Sequence, residues 1–224
     1  MGWIVEFNAV SSADNAGGVA VADNESPIGW TTAAIAVHSI LQISVPMFLR
    51  LQPEGYGPIV IDFRHHAFVW ATSLANFPAE PATVHVETEP TSYEEPPIFL
   101  LPGSDLDRLL WVMGLNSFQD ARAFWLRPGD RYRLLRWPDL AGLDHSVDQM
   151  QMIALLGNVA LSVDELAQTA GVPLAQAQRL INALSLMGVL ESAVEARIAS
   201  LAQAAPATST HRSLFSRLRE KLGI

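Results

Sequence analysis

The 224-residue sequence contains no cysteine, and only one of its 14 basic residues, Lys221, is lysine. The absence of cysteine excludes a disulfide framework, a thiolate metal site and a cysteine nucleophile, and it fits a reducing cell interior. Because 14 basic residues stand against 23 acidic ones, the formal net charge is −9, so we do not expect the whole chain to bind nucleic acid electrostatically. Half of the residues are hydrophobic and only 17% are charged, which excludes a disordered or coiled-coil chain.

The sequence also lacks the common catalytic motifs: there is no Gly-x-Ser-x-Gly elbow, no Walker loop and no His-Glu-x-x-His helix. His65 and His66 follow Asp62, but adjacent residues of a strand point to opposite faces, so these two histidines cannot both bind one metal ion. A metal site would require tertiary assembly with residues distant in sequence. We therefore expect no enzymatic activity, no cofactor and no metal ion.

Two features bear on the source and location of the protein. The preference for arginine over lysine and the abundance of alanine are typical of a GC-rich bacterial genome. No basic segment precedes an apolar run at the N-terminus, so we expect no signal peptide and a cytoplasmic location. The uncharged stretch 26–49 contains several polar residues and a late proline, Pro46, which predicts a buried helix followed by an extended turn rather than a membrane span.

Charge and composition divide the chain into three parts: residues 1–143, residues 144–203 with net charge −4, and residues 204–224 with net charge +3. The first part alternates short β-type runs with helical patterns, which predicts a mixed α/β domain. Helices are predicted over 32–43, 104–115 and 117–125, and strands over 59–63, 67–71, 82–87 and 131–137.

The clearest local pattern lies in residues 146–192. Ser146 with Gln149, and Ser162 with Glu165, form two capping boxes that predict helices beginning at residues 147 and 163. Gly171 would end the second of these helices, a third helix is predicted over 174–187, and a strand would then begin at residue 189.

This order of elements resembles the winged helix-turn-helix superfamily, through residues 161–167, 170–172 and 180–190. It is most similar to the small winged-helix module that ends some bacterial DNA-processing proteins. The resemblance implies that the third helix enters the DNA major groove. The polar positions expected to be exposed on that helix are Gln176, Gln178, Arg179, Asn182 and Ser185, which provide only one cation, whereas groove readers generally use several phosphate contacts. We therefore favour a module that packs on protein and keep DNA binding as an alternative.

A second candidate site is an arginine cluster, in which Asp130 is the only acidic residue. It comprises Arg122, Arg127, Arg131, Arg133 and Arg136, with Tyr132 and Trp137 beside them. Guanidinium groups bind phosphates and carboxylates in a bidentate manner and stack on aromatic planes, so this cluster is a candidate site for an acidic or phosphate-bearing ligand. The spacing Arg127-x-x-x-Arg131 resembles that of PilZ-type cyclic-dinucleotide receptors, although the second motif of that family is missing. The alternative is that these arginines form surface ion pairs with Asp105, Asp107, Asp120, Asp130 and Asp139.

The tail reads as a linker over 204–210 followed by a basic amphipathic helix over 211–224. Its predicted docking side chains are Leu214, Phe215, Leu218 and Leu222. Such a helix could bind a partner's groove or an acidic membrane surface.

The sequence therefore predicts a mixed α/β N-terminal domain, a small winged helix-turn-helix module and a tethered C-terminal helix. We expect a non-catalytic bacterial adaptor or regulator that acts through protein–protein contacts with an unidentified protein partner. The alternatives are a nucleotide or cyclic-dinucleotide receptor that uses the arginine cluster, and a DNA-binding transcriptional regulator.

Overall fold

A computed structural model describes residues 29–193 of the chain and shows a mixed α/β fold. The predicted amphipathic tail helix, with Leu214, Phe215, Leu218 and Leu222, lies outside the described residues, and so do the first 28 residues. Among residues 29–193, no helix has both the length and the hydropathy required to cross a membrane.

The first half of the described chain is an antiparallel sheet with two helices. The elements are α1 (Trp30–Ile43), β1 (Met47–Pro53), β2 (Ile59–Asp62), β3 (Ala67–Trp70), a short 3-10 helix (Leu74–Asn76), β4 (Val84–Pro90), β5 (Ser104–Asp105) and α2 (Leu106–Asn116). The strand order in the sheet is β4-β1-β2-β3-β5, so the sequence-adjacent strands β1, β2 and β3 are also neighbours in space.

Alternation along β1 explains how this sheet builds its share of the core. Leu49 and Leu51 are fully buried, whereas Arg50 between them is exposed, because successive side chains of a strand point to opposite faces. The buried face packs against α1 and α2, whose own apolar residues recur at helical spacing.

The second half is helical and follows the predicted order. It contains β6 (Tyr132–Leu134), α3 (Val147–Asn158), α4 (Val163–Ala170), α5 (Leu174–Leu186) and β7 (Leu190–Ser192). Both predicted capping boxes are present, since the Ser146 and Ser162 side chains accept from the backbone N–H groups of Gln149 and Glu165, respectively. Gly171 ends α4 in the left-handed conformation that glycine adopts without steric cost.

The two halves share one hydrophobic core. Strand β6 pairs antiparallel with β7 and bridges to Leu161, in the connection between α3 and α4, so a strand that precedes residue 143 completes the small sheet of the following helices. Helix α2 also packs along α5. The domain boundary expected between residues 143 and 144 stays a prediction. Elements before it contact elements after it extensively, through the pairing of β6 with β7 and the packing of α2 on α5.

The structure corrects three local predictions. Residues 117–125 form turns rather than a helix, since Phe118 and Gln119 both adopt positive φ angles, of 58° and 48°. Strand β1 lies where an extended turn was expected, and helix α2 begins two residues late because Asp105, rather than Ser104, caps it by accepting from the Asp107 N–H.

Candidate functional site

Three members of the arginine cluster bind three different carboxylates. Arg131 pairs with Glu165 on α4, Arg133 pairs with Glu191 on β7, and Arg136 donates to Asp107 on α2 at 2.9 Å. These contacts are surface ion pairs, as in the alternative interpretation of the arginine cluster. Of the acidic partners expected there, only Asp107 is used, and the other two partners are Glu165 and Glu191. Because each guanidinium is directed toward a different element, these three arginines do not converge on one pocket.

The other predicted members of this site are also dispersed. Arg122 is half-buried and Arg127 is exposed, and neither forms an ion pair within residues 29–193. Tyr132 is buried in the core and its hydroxyl donates to the Arg127 carbonyl. Trp137 is 58% exposed and lies over Gly157 of α3, where an added Cβ would be 3.1 Å from the indole ring.

The polar side of α5 is covered by the chain's own residues 117–126, which we call the covering segment. Asn182, expected to be exposed, is in fact only 1% exposed: its side chain donates to the Ala121 carbonyl and accepts from the Ala123 N–H, both at 2.9 Å. Trp125 Nε1 donates to the Ser185 hydroxyl at 2.9 Å, and Arg179 pairs with Asp120 at 2.8 Å.

The contacted residues Arg179, Asn182 and Ser185 are spaced three residues apart and therefore form one ridge of α5. The covering segment is itself anchored from the other side, since the Trp125 ring stacks on His38 of α1 with centroids 3.8 Å apart. Gln176 also donates to Asp148 of α3 at 3.4 Å, so four of the five side chains that the winged-helix resemblance would direct at DNA bind protein groups within the fold.

A polar junction formed by His66, Asp107 and Arg136 connects the β2–β3 turn, helix α2 and the segment after β6. His66 lies in the turn between β2 and β3, where its φ is +49°, and its Nε2 is 2.8 Å from one carboxylate oxygen of Asp107. Arg136, just after β6, donates to the other oxygen of the same carboxylate. Residues that are distant in sequence therefore share one nearly buried acid.

The pKa values of His66 and Asp107 shift in opposite directions at this junction. The hydrogen bond to Asp107 raises the pKa of His66, and burial opposes this only in part. Burial alone would raise the pKa of Asp107, but the hydrogen bonds from His66 and Arg136 outweigh it and hold that pKa below its ordinary value. The protonated imidazole and the ionised carboxylate therefore stabilise each other.

His66, Asp105 and Asp107 also place one ligand atom each within 4.8 Å of one another, which is the tertiary assembly that a metal site would require. A divalent cation there would meet the guanidinium of Arg136, already bound to Asp107 at 2.9 Å. The positive charge at this carboxylate is thus supplied by protein groups, and the arrangement is an ion-pair network.

Asp62 and Arg64 form a second, structural network. Asp62 is fully buried and accepts from Arg64 through both carboxylate oxygens, while His65 Nδ1 lies 2.8 Å from one of them. Arg64 also donates to the carbonyls of Ser92 and Glu95, which fixes the loop after β4. His65 and His66 thus bind two separate carboxylates, but they lie in the turn between β2 and β3 and not in a strand, so strand alternation is not the reason.

An exposed apolar patch lies beside β6. Its members are Leu135, Trp137 and Val159, exposed by 58%, 58% and 48%. Trp137 lies over Gly157 near the end of α3, two residues before Val159, and Leu135 lies two residues before Trp137 along the chain. We call this group the β6 patch.

Sequence reasoning missed the buried role of Asn182 and the junction at Asp107. Asn182 could have been suspected because it is flanked by apolar residues on both sides, whereas nothing local links His66 to an acid 41 residues away. No family model, curated protein or solved structure matches this chain.

Proposed function

We propose that this protein is a non-catalytic adaptor of the bacterial cytoplasm that acts through protein–protein contacts of its helical half. In this proposal α3, α4, α5 and the small β6–β7 sheet form a winged-helix-like module in which a strand from upstream completes the wing. The observation that carries the proposal is the covering segment bound along Arg179, Asn182 and Ser185 of α5.

The covering segment supports protein binding over DNA binding for a steric and an electrostatic reason. A helix must present free side chains to read base edges, and here that ridge is occupied by residues 120–125. The nearby arginines Arg131 and Arg133 are also neutralised by glutamates, so they would have to break ion pairs before contacting phosphates.

The β6 patch is the surface through which we propose that the partner binds. Exposed aromatic side chains surrounded by aliphatic ones are typical of interface centres. Trp137 has the required exposure, and its ring lies close against α3 because Gly157 has no side chain. The tail side chains Leu214, Phe215, Leu218 and Leu222 remain a second proposed docking element.

Site-specific photocrosslinking in cells tests this proposal. With a benzophenone amino acid at position 137, we expect one discrete adduct whose partner is identified by mass spectrometry and whose yield falls with Leu135→Glu. The same amino acid at position 56, an exposed tyrosine on the β1–β2 turn, is the control and should give no such adduct.

A parallel measurement addresses the DNA alternative. The purified chain should not retard duplex DNA even at low salt, where phosphate contacts are strongest. Retardation that weakens with salt, together with no adduct at position 137, would show that the protein is a DNA-binding regulator instead.

A further inference from the structure

A cleft of about 410 Å³ lies on the N-terminal half, and none of the β6 patch residues lines it. It is bounded by the end of β3, the 3-10 helix, the start of α2 and the 142–144 turn, and its volume is in the range of small-molecule sites. The side chains that matter for its chemistry are Phe68, Trp70, Ser73, Ser104, Arg108 and Asp144.

Arg108 is the cation that lines this cleft, and its charge is not paired. Its Nη2 donates to the Gly142 carbonyl at 3.1 Å, while its Nε is buried without a hydrogen-bond partner. Among the residues that the structure describes, no carboxylate lies within ion-pair distance of Arg108, in contrast to Arg64, Arg131 and Arg136. A partly buried guanidinium without a counter-ion, at the lining of a cleft, is favourably placed to attract an oxyanion.

The rest of the lining limits what that oxyanion can be. Asp144 is exposed at the cleft and adds one negative charge, which disfavours a polyanion such as a nucleoside triphosphate. Trp70 directs its indole N–H to the Gly57 carbonyl, so its ring is held in place beside the cleft for apolar contact. The hydroxyls of Ser73 and Ser104 provide further polar contacts at the lining.

We infer that this cleft binds a small ligand with a single oxyanion group, a carboxylate or a phosphate monoester, whose charge pairs with Arg108 and whose apolar part packs beside Trp70. The site is separate from the arginine cluster at residues 122–136, and it does not depend on the proposed adaptor function.

Titrations of the full chain labelled with ¹⁵N-tryptophan test this inference, with the Trp70 indole N–H assigned by Trp70→Phe. The probes are sodium benzoate, its uncharged analogue benzamide, and inorganic phosphate. We expect saturable shifts of the Trp70 signal with benzoate or phosphate at millimolar concentration, and binding of benzamide weaker by about tenfold or more, because it lacks the charge-assisted pair. The tighter of the two anions distinguishes a carboxylate from a phosphate ligand.

Arg108→Gln should weaken anion binding by about tenfold or more, whereas Arg50→Gln, an exposed arginine on β1, should leave it unchanged. Ser104→Asp keeps Arg108 but places a carboxylate in the lining of the cleft, so it should also weaken anion binding. This variant is the decisive test if Arg108→Gln does not fold. Absence of saturable shifts with both anions, equal binding of benzoate and benzamide, or unchanged affinity in the decisive variant would each overturn the inference.

Discussion

Gly114 of α2 lies directly against Ala183 of α5: a Cβ atom on Gly114 would stand only 2.4 Å from the Ala183 Cα. The neighbour is backbone, so it cannot move aside as the end of a flexible side chain could. This close approach joins the sheet-bearing half of the molecule to the helical half, because α2 belongs to the first and α5 to the second.

Gly114→Ala should therefore destabilise the protein, although alanine is the better helix former by about 1 kcal/mol. We expect the free energy of unfolding to fall by about 2 kcal/mol or more, since the two helices must separate to admit the methyl group. Urea denaturation followed by circular dichroism measures this loss. Gly57→Ala is the matched control, because nothing lies within 4 Å of the added methyl group there, and its effect should stay within about 0.5 kcal/mol. Equal stabilities of the two variants would show that α2 and α5 are not in close contact.

Asn182→Ala should lower the free energy of unfolding by about 2–3 kcal/mol, because it leaves the Ala121 carbonyl and the Ala123 N–H without their partner. Arg179→Ala removes an exposed ion pair on the same ridge and should cost less than about 1 kcal/mol. Hydrogen exchange gives an independent readout, since protection of the Ala123 amide should fall in Asn182→Ala and persist in Arg179→Ala. If Ala123 exchanges rapidly in the unaltered protein, the covering segment does not hold α5.

The contribution of His66 to stability should depend on pH. Its pKa is raised in the folded protein, so its stabilisation is fully present below the unfolded value near 6.5 and is lost as pH rises through the folded pKa. The pKa of Asp107 is lowered, so its contribution is present above the unfolded value near 3.8 and is lost as pH falls through the folded pKa. The pair is thus most stabilising between these limits, with Arg136 and Asp105 as the other charges at the junction.

Urea midpoints of the unaltered protein and of His66→Ala measure this effect. We expect the difference in stability to be larger at pH 5.5 than at pH 9, since the imidazolium has lost its proton at the higher value. His85→Ala on exposed β4 controls for the loss of a surface imidazole and should change stability by less than about 0.5 kcal/mol. A difference that is the same at both pH values would mean that His66 does not bind Asp107 as an ion pair.

Asp62→Asn tests the buried network below the loop after β4. Burial raises the pKa of Asp62, but the hydrogen bonds from Arg64 and His65 lower it by more, so the native group is a carboxylate. Replacing it by an amide leaves Arg64 without its counter-ion, and we expect a loss of about 3 kcal/mol in the free energy of unfolding. Glu87→Gln breaks an exposed pair with Arg50, at 3.9 Å, and should cost less than about 0.5 kcal/mol. Comparable losses in the two variants would contradict the burial of Asp62.

Much of the secondary structure could be read from local patterns, most accurately in the helical half. Helix α4 begins and ends at the predicted residues because its signals, the box of Ser162 with Glu165 and the terminal Gly171, are contained in its own sequence. The sequence does not predict β1, although Leu49 and Leu51 alternate with Arg50 and Gln52, because Pro46 favours a turn at this point.

The sequence by itself determined the capping boxes that begin α3 and α4 and the glycine that ends α4, since these depend on residues within a turn or two of one another. Only the tertiary structure decided where the polar groups of those elements are used. Arg131, Arg133 and Arg136 find acids 34, 58 and 29 residues away, and the ridge of α5 is taken by a segment some 60 residues upstream. Such partners are brought together by the pairing of β6 with β7 and the packing of α2 on α5, and no local pattern encodes which distant charge or amide will be adjacent once the core has formed.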